Sequence, residues 1–445
     1  MIQQTRPCKV IIAGGGIAGL GLAVMLEKHG VEYTLLEAYP EIVAPAGAGI
    51  CMLPHGLRIL DQLGCYEALV SKVQDVMEIM SYRDQSGEEL VTLDGFTVKN
   101  VERHGYSTLW VGRRELLQVM YDCIRDKSKL LTKKRVESVR QLDKGIEVTT
   151  ADGSVYRGDI LVGTDGVHSQ VRMEMVRHAT EQGIAEDYAE EDSINPGQVR
   201  VLIRGVDCSP GIPRGYLAFG VNEGFSNVIG TGPKGRVYWF VTRKMDKTYF
   251  GSDIPKFTKG DEERFVREHW DDQITADVQF SDLYKAKQDV IHTPLREFVY
   301  RKWHLNRMIV LGDASHKMTP VLGQGGNQAL ETVAALTNSL MAALKRPNSN
   351  RLSVSEIDAM FTEVQNLRAP RAAKMMVESH EQQCMHALET PELREVMLHQ
   401  FPQMAADLVP TFWDATIAPA VSIKTLPVPK RGRMVPFEDE IRAKL

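Results

Sequence analysis

Apolar and polar positions change period along the chain, and each change marks an element. Residues 9–13, KVIIA, form a short apolar run of the kind a doubly buried parallel strand shows. IAGLGLAVMLEKHG then places Leu20, Ala23, Val24 and Leu26 at helical spacing and stops at Gly30, a glycine C-cap. VEYTLLE predicts a second strand ending at Glu37. Farther on, GICMLPHGLRILDQLGCYEAL (49–69) predicts a loop and a helix, and VMEIMSYRDQSGEELVTL a hairpin turned at Ser86-Gly87. WVGRRELLQVMYDCIRD predicts a helix led in by basic residues, and VESVRQL, GIEVTTA and SVYRGDILVG predict three strands. Residues 196–245 are strand-rich and aromatic, 353–400 mostly helical, and the tail LPVPKRGRMVP too proline-rich for regular structure.

Between the first strand and first helix stands GGGIAG, with Gly14, Gly16 and Gly19, and Glu37 closes the second strand. A dinucleotide site needs that order. Glycines let backbone approach a pyrophosphate, the helix start offers free N–H groups, and the acid accepts from ribose hydroxyls. GTGPKG (230–235) has the same glycine spacing but stands between GFSNVI and RVYWFVTRKM, two strand-like runs. A hairpin turn without a nucleotide role is expected there. The sequence therefore supports one dinucleotide, not two.

At 445 residues the chain exceeds the size of one core, so two domains or lobes are expected. A net charge of −5 with scattered Lys and Arg gives no footprint for nucleic acid. Six cysteines without a C-x-x-C pair point to a reducing compartment and no structural zinc. His380 and Cys384 lie one helical turn apart without convergent ligands, so no metal is expected. No apolar stretch reaches about 18 residues, so no membrane span is expected, and the first strand begins too early for a signal peptide. The expected location is cytoplasmic; the terminal Ala-Lys-Leu is close to the peroxisomal Ser-Lys-Leu address.

Two later stretches add chemistry. GDILVGTDGVHSQVR (158–172) predicts a strand ending in Asp165-Gly166, with Ser169 and Arg172 close behind. MIVLGDASHKMTPVLGQGGNQALE (308–331) predicts a strand at Ile309 to Leu311, Asp313 at its end, and a loop to Gly323, Gly325 and Gly326. A helix is expected from near Asn327, with Leu330, Val333, Leu336, Leu340 and Leu344 on its buried stripe. Asp313 thus falls where open α/β sheets bind ligands.

In their order, GGGIAG, GTDGVHSQVR and GDASHKMTPVLGQGGN resemble the class A FAD-dependent monooxygenases of the para-hydroxybenzoate hydroxylase type, roughly over residues 8–345. EAYPEIVAPAGAGICMLPHGLRILDQLG, VYRGDILVGTDGVHSQVR, GRVYWF and GDASHKMTP are most similar to the fungal paxilline-epoxidase type, which oxygenates prenylated aromatic and terpenoid intermediates of meroterpenoid and indole diterpene biosynthesis. The resemblance implies an α/β fold with a Rossmann-like FAD-binding domain (1–75, 101–175 and 285–345). An interleaved β-sheet substrate domain (76–100 and 176–284) and a C-terminal helical region with proline-rich tail (346–445) complete it. That family often ends in membrane helices; this chain shows none, so membrane attachment is not carried over.

Residue by residue, the resemblance implies that Gly14, Gly16, Gly19 and Glu37 hold the ADP half of FAD and that Arg113 reaches its phosphates or ribityl chain. Asp313 would accept from ribityl hydroxyls, and Gly325, Gly326 and Asn327 would aim N–H groups at the N1 and O2 edge of the isoalloxazine. Asp165 and Arg172 would order the flavin and a passing nicotinamide. Gly47 and Gly49 would let a loop approach the ring, with Cys51 standing where relatives usually repeat glycine. NADPH is implied as a transient reductant. Dioxygen then forms a flavin C4a-hydroperoxide, whose distal oxygen passes to an alkene or arene. Epoxidation of a prenyl or terpenoid alkene leads; phenol hydroxylation, or a non-oxygenating oxidase or oxidative cyclase, are the alternatives. Arg200 and Arg204 share a strand face, and Tyr216, Phe219, Phe225, Tyr238 and Trp239 are pocket walls or core. Tyr216 and Arg204 are the candidate catalytic residues, Tyr216 lying near Val221 and Asn222, where some relatives place a tyrosine.

Overall fold

A computed structural model describes residues 6–44, 49–73, 76–189, 199–207, 211–288, 290–345 and 351–442, with the side chains of 189, 199–207 and 442 excepted. The apolar run at the start becomes β1 (Lys9–Ala13), the centre of a mostly parallel sheet. β2 (Glu32–Leu36) flanks it on one side and β11 (Ile160–Gly163) on the other, in register Ile11↔Thr34 and Ile11↔Leu161. β7 (Leu130–Leu131) extends the sheet beyond β2. β21 (Met308–Val310) and the short antiparallel β20 (His304–Leu305) extend it beyond β11. Helices α1 (Ile17–Lys28), α5 (Arg113–Cys123) and α10 (Gln324–Leu344) share one apolar core with this sheet. The expected stripe Leu330, Val333, Leu336, Leu340 and Leu344 is buried in α10. That helix starts three residues earlier than its apolar period indicates, so Gly325, Gly326 and Asn327 all lie in its first turn.

A second sheet runs in the order β18 (Ile291–Leu295), β12 (Val199–Asp207), β15 (Arg236–Lys244), β14 (Phe225–Thr231), β13 (Tyr216–Val221), β4 (Ile79–Arg83), β5 (Glu89–Asp94). Only β13 and β4 pair in parallel. GTGPKG forms the connection from β14 to β15, a short 3-10 turn with Lys234 at φ 63°, and no helix follows it. Helices α8 (Lys259–Glu268) and α9 (Phe280–Lys285), with the small ribbon β16 (Gln273–Thr275) and β17 (Val278–Gln279), cover one face. α4 (Phe96–His104) and α13 (Phe401–Ile417) contribute to the apolar cluster on the other.

Three expectations are corrected. SVYRGDILVG is two strands: β10 (Val155–Gly158) joins β8 (Val136–Leu142) and β9 (Gly145–Thr150) in a separate sheet, while β11 enters the parallel one. The chain turns at Gly158, where a Cβ would sit 2.9 Å from the Lys9 carbonyl oxygen. Asp159 then accepts from the Lys9 N–H at 2.7 Å. GICM and LWVG are not loop and helix lead-in but a pair of strands, β3 (Gly49–Met52) with β6 (Leu109–Gly112). The late strand ends at Val310 rather than Leu311. β19 (Phe298–Val299) and β22 (His316–Lys317) form a further short ribbon.

Of the C-terminal helices α11 (Val354–His386), α12 (Pro391–Glu395) and α13, the first is locked to α10 by charge and carries the third with it. The fully buried Glu331 carboxylate accepts from Arg368 Nη1 at 2.6 Å and Arg371 Nε at 2.8 Å. Arg371 also donates to the Thr416 carbonyl at 2.8 Å, which fixes α13. Residues 421–436 lack helix or strand, as their prolines indicate. They return to the FAD-side core, where Asp439 of α14 (Glu438–Arg442) accepts twice from buried Arg58 of α2 (Pro54–Gln62). α3 (Tyr66–Val70) follows α2; α6 (Gln170–Glu181) and α7 (Glu186–Ala189) follow β11.

Candidate functional site

The glycine turn is built as the sequence requires. Gly14 has φ 104°, its N–H donates to the Leu36 carbonyl at 2.8 Å, and a Cβ there would meet the Thr164 carbonyl at 2.5 Å. A Cβ on Gly19 would lie 1.9 Å from the Gly14 carbonyl, so only glycine lets α1 sit so close to the turn. Gly16 differs: its Cβ direction is open as far as Arg113 Nη2 at 3.8 Å. α1 has no side-chain cap and no acid in its first turn, which leaves its leading N–H groups for an anion. Glu37, buried at the end of β2, accepts from the Gly15 N–H at 2.6 Å and the Tyr39 N–H at 2.9 Å.

Arg113 opens α5 beside this turn. Burial pushes its guanidinium pKa down, opposed by the charges of Glu37 and Asp313. It makes no side-chain hydrogen bond among the described residues. A half-buried guanidinium with unused donors, next to an uncapped helix start and an open Gly16, fits the phosphates of a dinucleotide. Asp313, in the turn after β21, pairs with Lys317.

The second part of the site is the start of α10. Gly323 precedes it in the left-handed region at φ 63°, again with no side-chain cap and no acid in the first turn. The Asn327 side chain is a clamp. Its Nδ2 donates to the carbonyls of Cys51 (2.9 Å) and Gly323 (2.7 Å), and its Oδ1 accepts from the Leu53 N–H (3.1 Å). The Asn327 side chain is thus taken up by the chain itself, and a ligand at this end of α10 would meet the backbone N–H groups of Gly325 and Gly326. A Cβ on Gly325 would meet nothing within 4 Å, so the approach is clear. Gly49 instead admits its own neighbours: a Cβ there would lie 2.2 Å from Trp110 Nε1 and 2.5 Å from Tyr238 Cγ. Gly47 lies outside the described residues. Burial pushes the Cys51 thiol up to about 12, so it stays protonated.

From Cys51 and Gly323 an apolar cleft runs along the second sheet past Trp110, Leu217 and Phe219 to Phe96 and Trp413. Strand alternation sorts the aromatic residues. Phe219 lines the cleft and Tyr238 packs behind it on Gly49, while Tyr216, Phe225 and Trp239 belong to the core on the opposite face. The structure thus turns Tyr216 away from the cleft; its hydroxyl accepts from Arg83 Nε at 2.6 Å. Arg204 stands opposite Trp239 in register and Arg200 opposite Arg243, but their side chains lie outside those described. Asp165 accepts from Ser169 Oγ (2.5 Å) and the N–H groups of Gln170 (2.8 Å) and Val171 (3.2 Å), which caps α6. Arg172 donates to the Lys302 carbonyl at 2.7 Å and stacks on Tyr300. Both groups are held by the chain's own framework.

Trp413 and Phe96 line the cleft, and sequence reasoning missed both. An apolar stripe on α13 signals burial but not which cleft the helix meets. His380 pairs with Glu297 at 2.9 Å. Among the described residues no His, Cys, Asp and Glu group is arranged to hold a metal, and no helix is long and apolar enough to cross a membrane.

A parallel sheet with one glycine fingerprint, an arginine beside it and a second uncapped helix next to an apolar cleft fit a dinucleotide cofactor such as FAD. The model of the FAD binding domain family matches residues 7–358, and the chain belongs to that family. It is a class A FAD-dependent monooxygenase. It is 37% identical over 438 residues to the FAD-dependent monooxygenase spyC of Aspergillus fumigatus, covering 96% of this chain and 89% of that protein. It is 34% identical over 434 residues to the FAD-dependent monooxygenase olcE of Penicillium canescens, covering 97% and 92%. In fold it is similar to Klebsiella pneumoniae HpxO, solved with FAD and uric acid, at TM-score 0.72 and 22% identity over 92% of this chain and 96% of that one.

Proposed function

We propose that this monooxygenase epoxidises an alkene of a prenylated aromatic or terpenoid intermediate in secondary metabolism, with NADPH as a transient reductant. One observation carries the choice. The cleft walls are apolar, and among the described lining residues none is an acid or base in its charged form; the polar groups are Thr108, bonded to Asn100 Nδ2 at 3.1 Å, and the protonated Cys51 thiol. Hydroxylating a phenol calls for a base to take the phenolic proton, whereas an alkene presents no proton to remove.

FAD, when bound, supplies the activation of dioxygen and the transfer of one atom. The chain's own residues hold and shield it. Glu37 and the α1 N-terminus would take the adenosine ribose and pyrophosphate, Arg113 would neutralise phosphate charge, and Asp313 would accept from the ribityl chain. The leading N–H groups of α10 would meet the pyrimidine edge, where a helix start favours negative charge by about 0.3–2 kcal/mol. Leu217, Phe219, Trp110 and Trp413 keep water out and accept a hydrocarbon chain.

Asp313→Ala removes an acceptor outside the core and is expected to weaken FAD binding by roughly tenfold or more, read as flavin lost on gel filtration. Unchanged occupancy removes Asp313 from the site. A second small cleft, edged by Lys99 and Arg103, shares Phe96 and Trp413 with the first. Trp413→Ala removes that wall. The ratio of kcat/KM for a geranylated over a dimethylallylated phenol is expected to rise about tenfold, since each buried CH₂ contributes about 0.8 kcal/mol. An unchanged ratio means that the substrate chain does not reach Trp413.

The reading is tested by NADPH oxidation with prenylated phenols and indoles against unprenylated controls. Stimulation confined to prenylated compounds supports it. Equal activity on unprenylated phenols, with oxygen on the ring, contradicts it.

A further inference from the structure

Cys65 and Cys123 lie 58 positions apart in sequence, yet their sulfurs stand 2.8 Å apart. Cys65 is fully buried at the N-cap of α3, and Cys123, the last residue of α5, is partly exposed. Bonded sulfurs are about 2.05 Å apart, so joining these two calls for a shift of under about 1 Å. The two thiols are unequal. The hydrogen bond from Cys65 brings Cys123 down to about 7 against the opposing effect of burial, with Lys28 and Lys127 also favouring the thiolate. Hydrogen bonding and burial push Cys65 well above its usual value. Cys8 and Cys51, by contrast, are buried and pushed up to about 12. The pair therefore has the parts of a peroxide-sensing couple, an accessible nucleophile and a buried resolving thiol.

We propose that Cys65 and Cys123 form a modification site for hydrogen peroxide and close to a disulfide when the monooxygenase consumes dioxygen without transferring oxygen to substrate. The Cys123 thiolate attacks one peroxide oxygen; an S–O bond forms, the O–O bond breaks, and the departing hydroxide takes a proton to become water. Cys65 sulfur then attacks the Cys123 sulfenic acid. The S–S bond forms, the S–O bond breaks, and the hydroxyl leaves as water with the Cys65 proton. Two thiols are oxidised and one peroxide is reduced to two waters. The bond joins the far ends of two segments that reach the flavin site: α5 begins at Arg113, and α2, just before Cys65, follows Leu53, which Asn327 holds.

The test uses FAD-loaded enzyme exposed to hydrogen peroxide at modest excess, followed by thiol counting in denaturant and peptide mapping. Free thiols are expected to fall from the six of the sequence to four, with one crosslink joining Cys65 to Cys123, reversed by dithiothreitol. Cys65→Ser is expected to leave Cys123 as a sulfenic acid that dimedone traps. Cys123→Ser is expected to slow thiol loss at least about tenfold, because a buried thiol reacts poorly. Retention of all six thiols in the wild type, or a crosslink between other cysteines, overturns the proposal. So does oxidation of Cys123 without a crosslink. The wild-type peptide map decides the matter even if the Cys65 variant fails to fold.

Discussion

Gly16→Val is expected to purify folded and colourless. Gly16 has φ −76° and ψ −167°, a backbone that any L residue adopts, and its Cβ direction is clear as far as Arg113. A valine there strains nothing in the apo chain but fills the space through which a pyrophosphate reaches the N–H groups of α1. FAD affinity is expected to fall by about 100-fold or more, while the melting temperature of the apo protein changes by only a few degrees. The comparison must be made with apo wild type, because bound FAD adds stability by mass action. Gly19→Ala separates the two effects: its Cβ would overlap the Gly14 carbonyl, so folding itself is expected to fail. Gly232→Ala is not the silent control that its hairpin suggests, since its Cβ would meet the Tyr238 ring at 2.8 Å. Lys234→Gly at the hairpin tip, which relieves a positive φ, is expected to leave FAD content unchanged. Wild-type flavin occupancy in Gly16→Val would remove the turn from the cofactor site.

Glu331→Ala is expected to cost about 3–5 kcal/mol of stability in denaturant unfolding, the range seen when one partner of a buried ion pair is removed. Arg368 has no exposed surface and would keep its charge with only Gln328 and Thr332 beside it. Burial alone would push the Glu331 carboxyl up, but Arg368 and Arg371 outweigh it and hold the group well below the usual range. A depressed folded pKa means that the contribution is complete above about pH 4–5 and is lost as pH falls below that. Acid should therefore unfold wild type more steeply than the variant. Glu331→Leu combined with Arg368→Met is expected to recover much of the loss, because an apolar pair needs no compensating charge. Full stability of Glu331→Ala at neutral pH would show that the network does not hold α10 to α11.

The parallel sheet and its glycine turn were legible because their signals are local. A strand, three glycines, a helix and Glu37 all fall within 30 residues, and the structure assembles them around a single backbone turn. The rejection of GTGPKG was legible for the same reason, since its flanking runs show strand character. What the sequence hid depends on register and distant contacts. Tyr216 and Phe219 belong to one strand, and an odd spacing sends them to opposite faces, but sequence alone does not say which face meets the flavin side. Asp165 and Arg172 stand in a motif that reads as cofactor chemistry; in the fold Asp165 also accepts from the first N–H groups of α6 and Arg172 stacks on Tyr300, contacts that no local pattern shows. Trp413 reaches the cleft from α13, which packs on the second sheet and is tied through Arg371 to Glu331 of α10, links no local pattern carries.

The most direct test of the central claim is the fate of isotopically labelled dioxygen. FAD-loaded enzyme, NADPH and a geranylated phenol are allowed to turn over in labelled dioxygen, and product and water are analysed by mass spectrometry. One labelled atom is expected in the product, on the prenyl chain, and the other in water. Product oxygen drawn from unlabelled water, or labelled dioxygen recovered wholly as hydrogen peroxide with no oxygenated product, would contradict it.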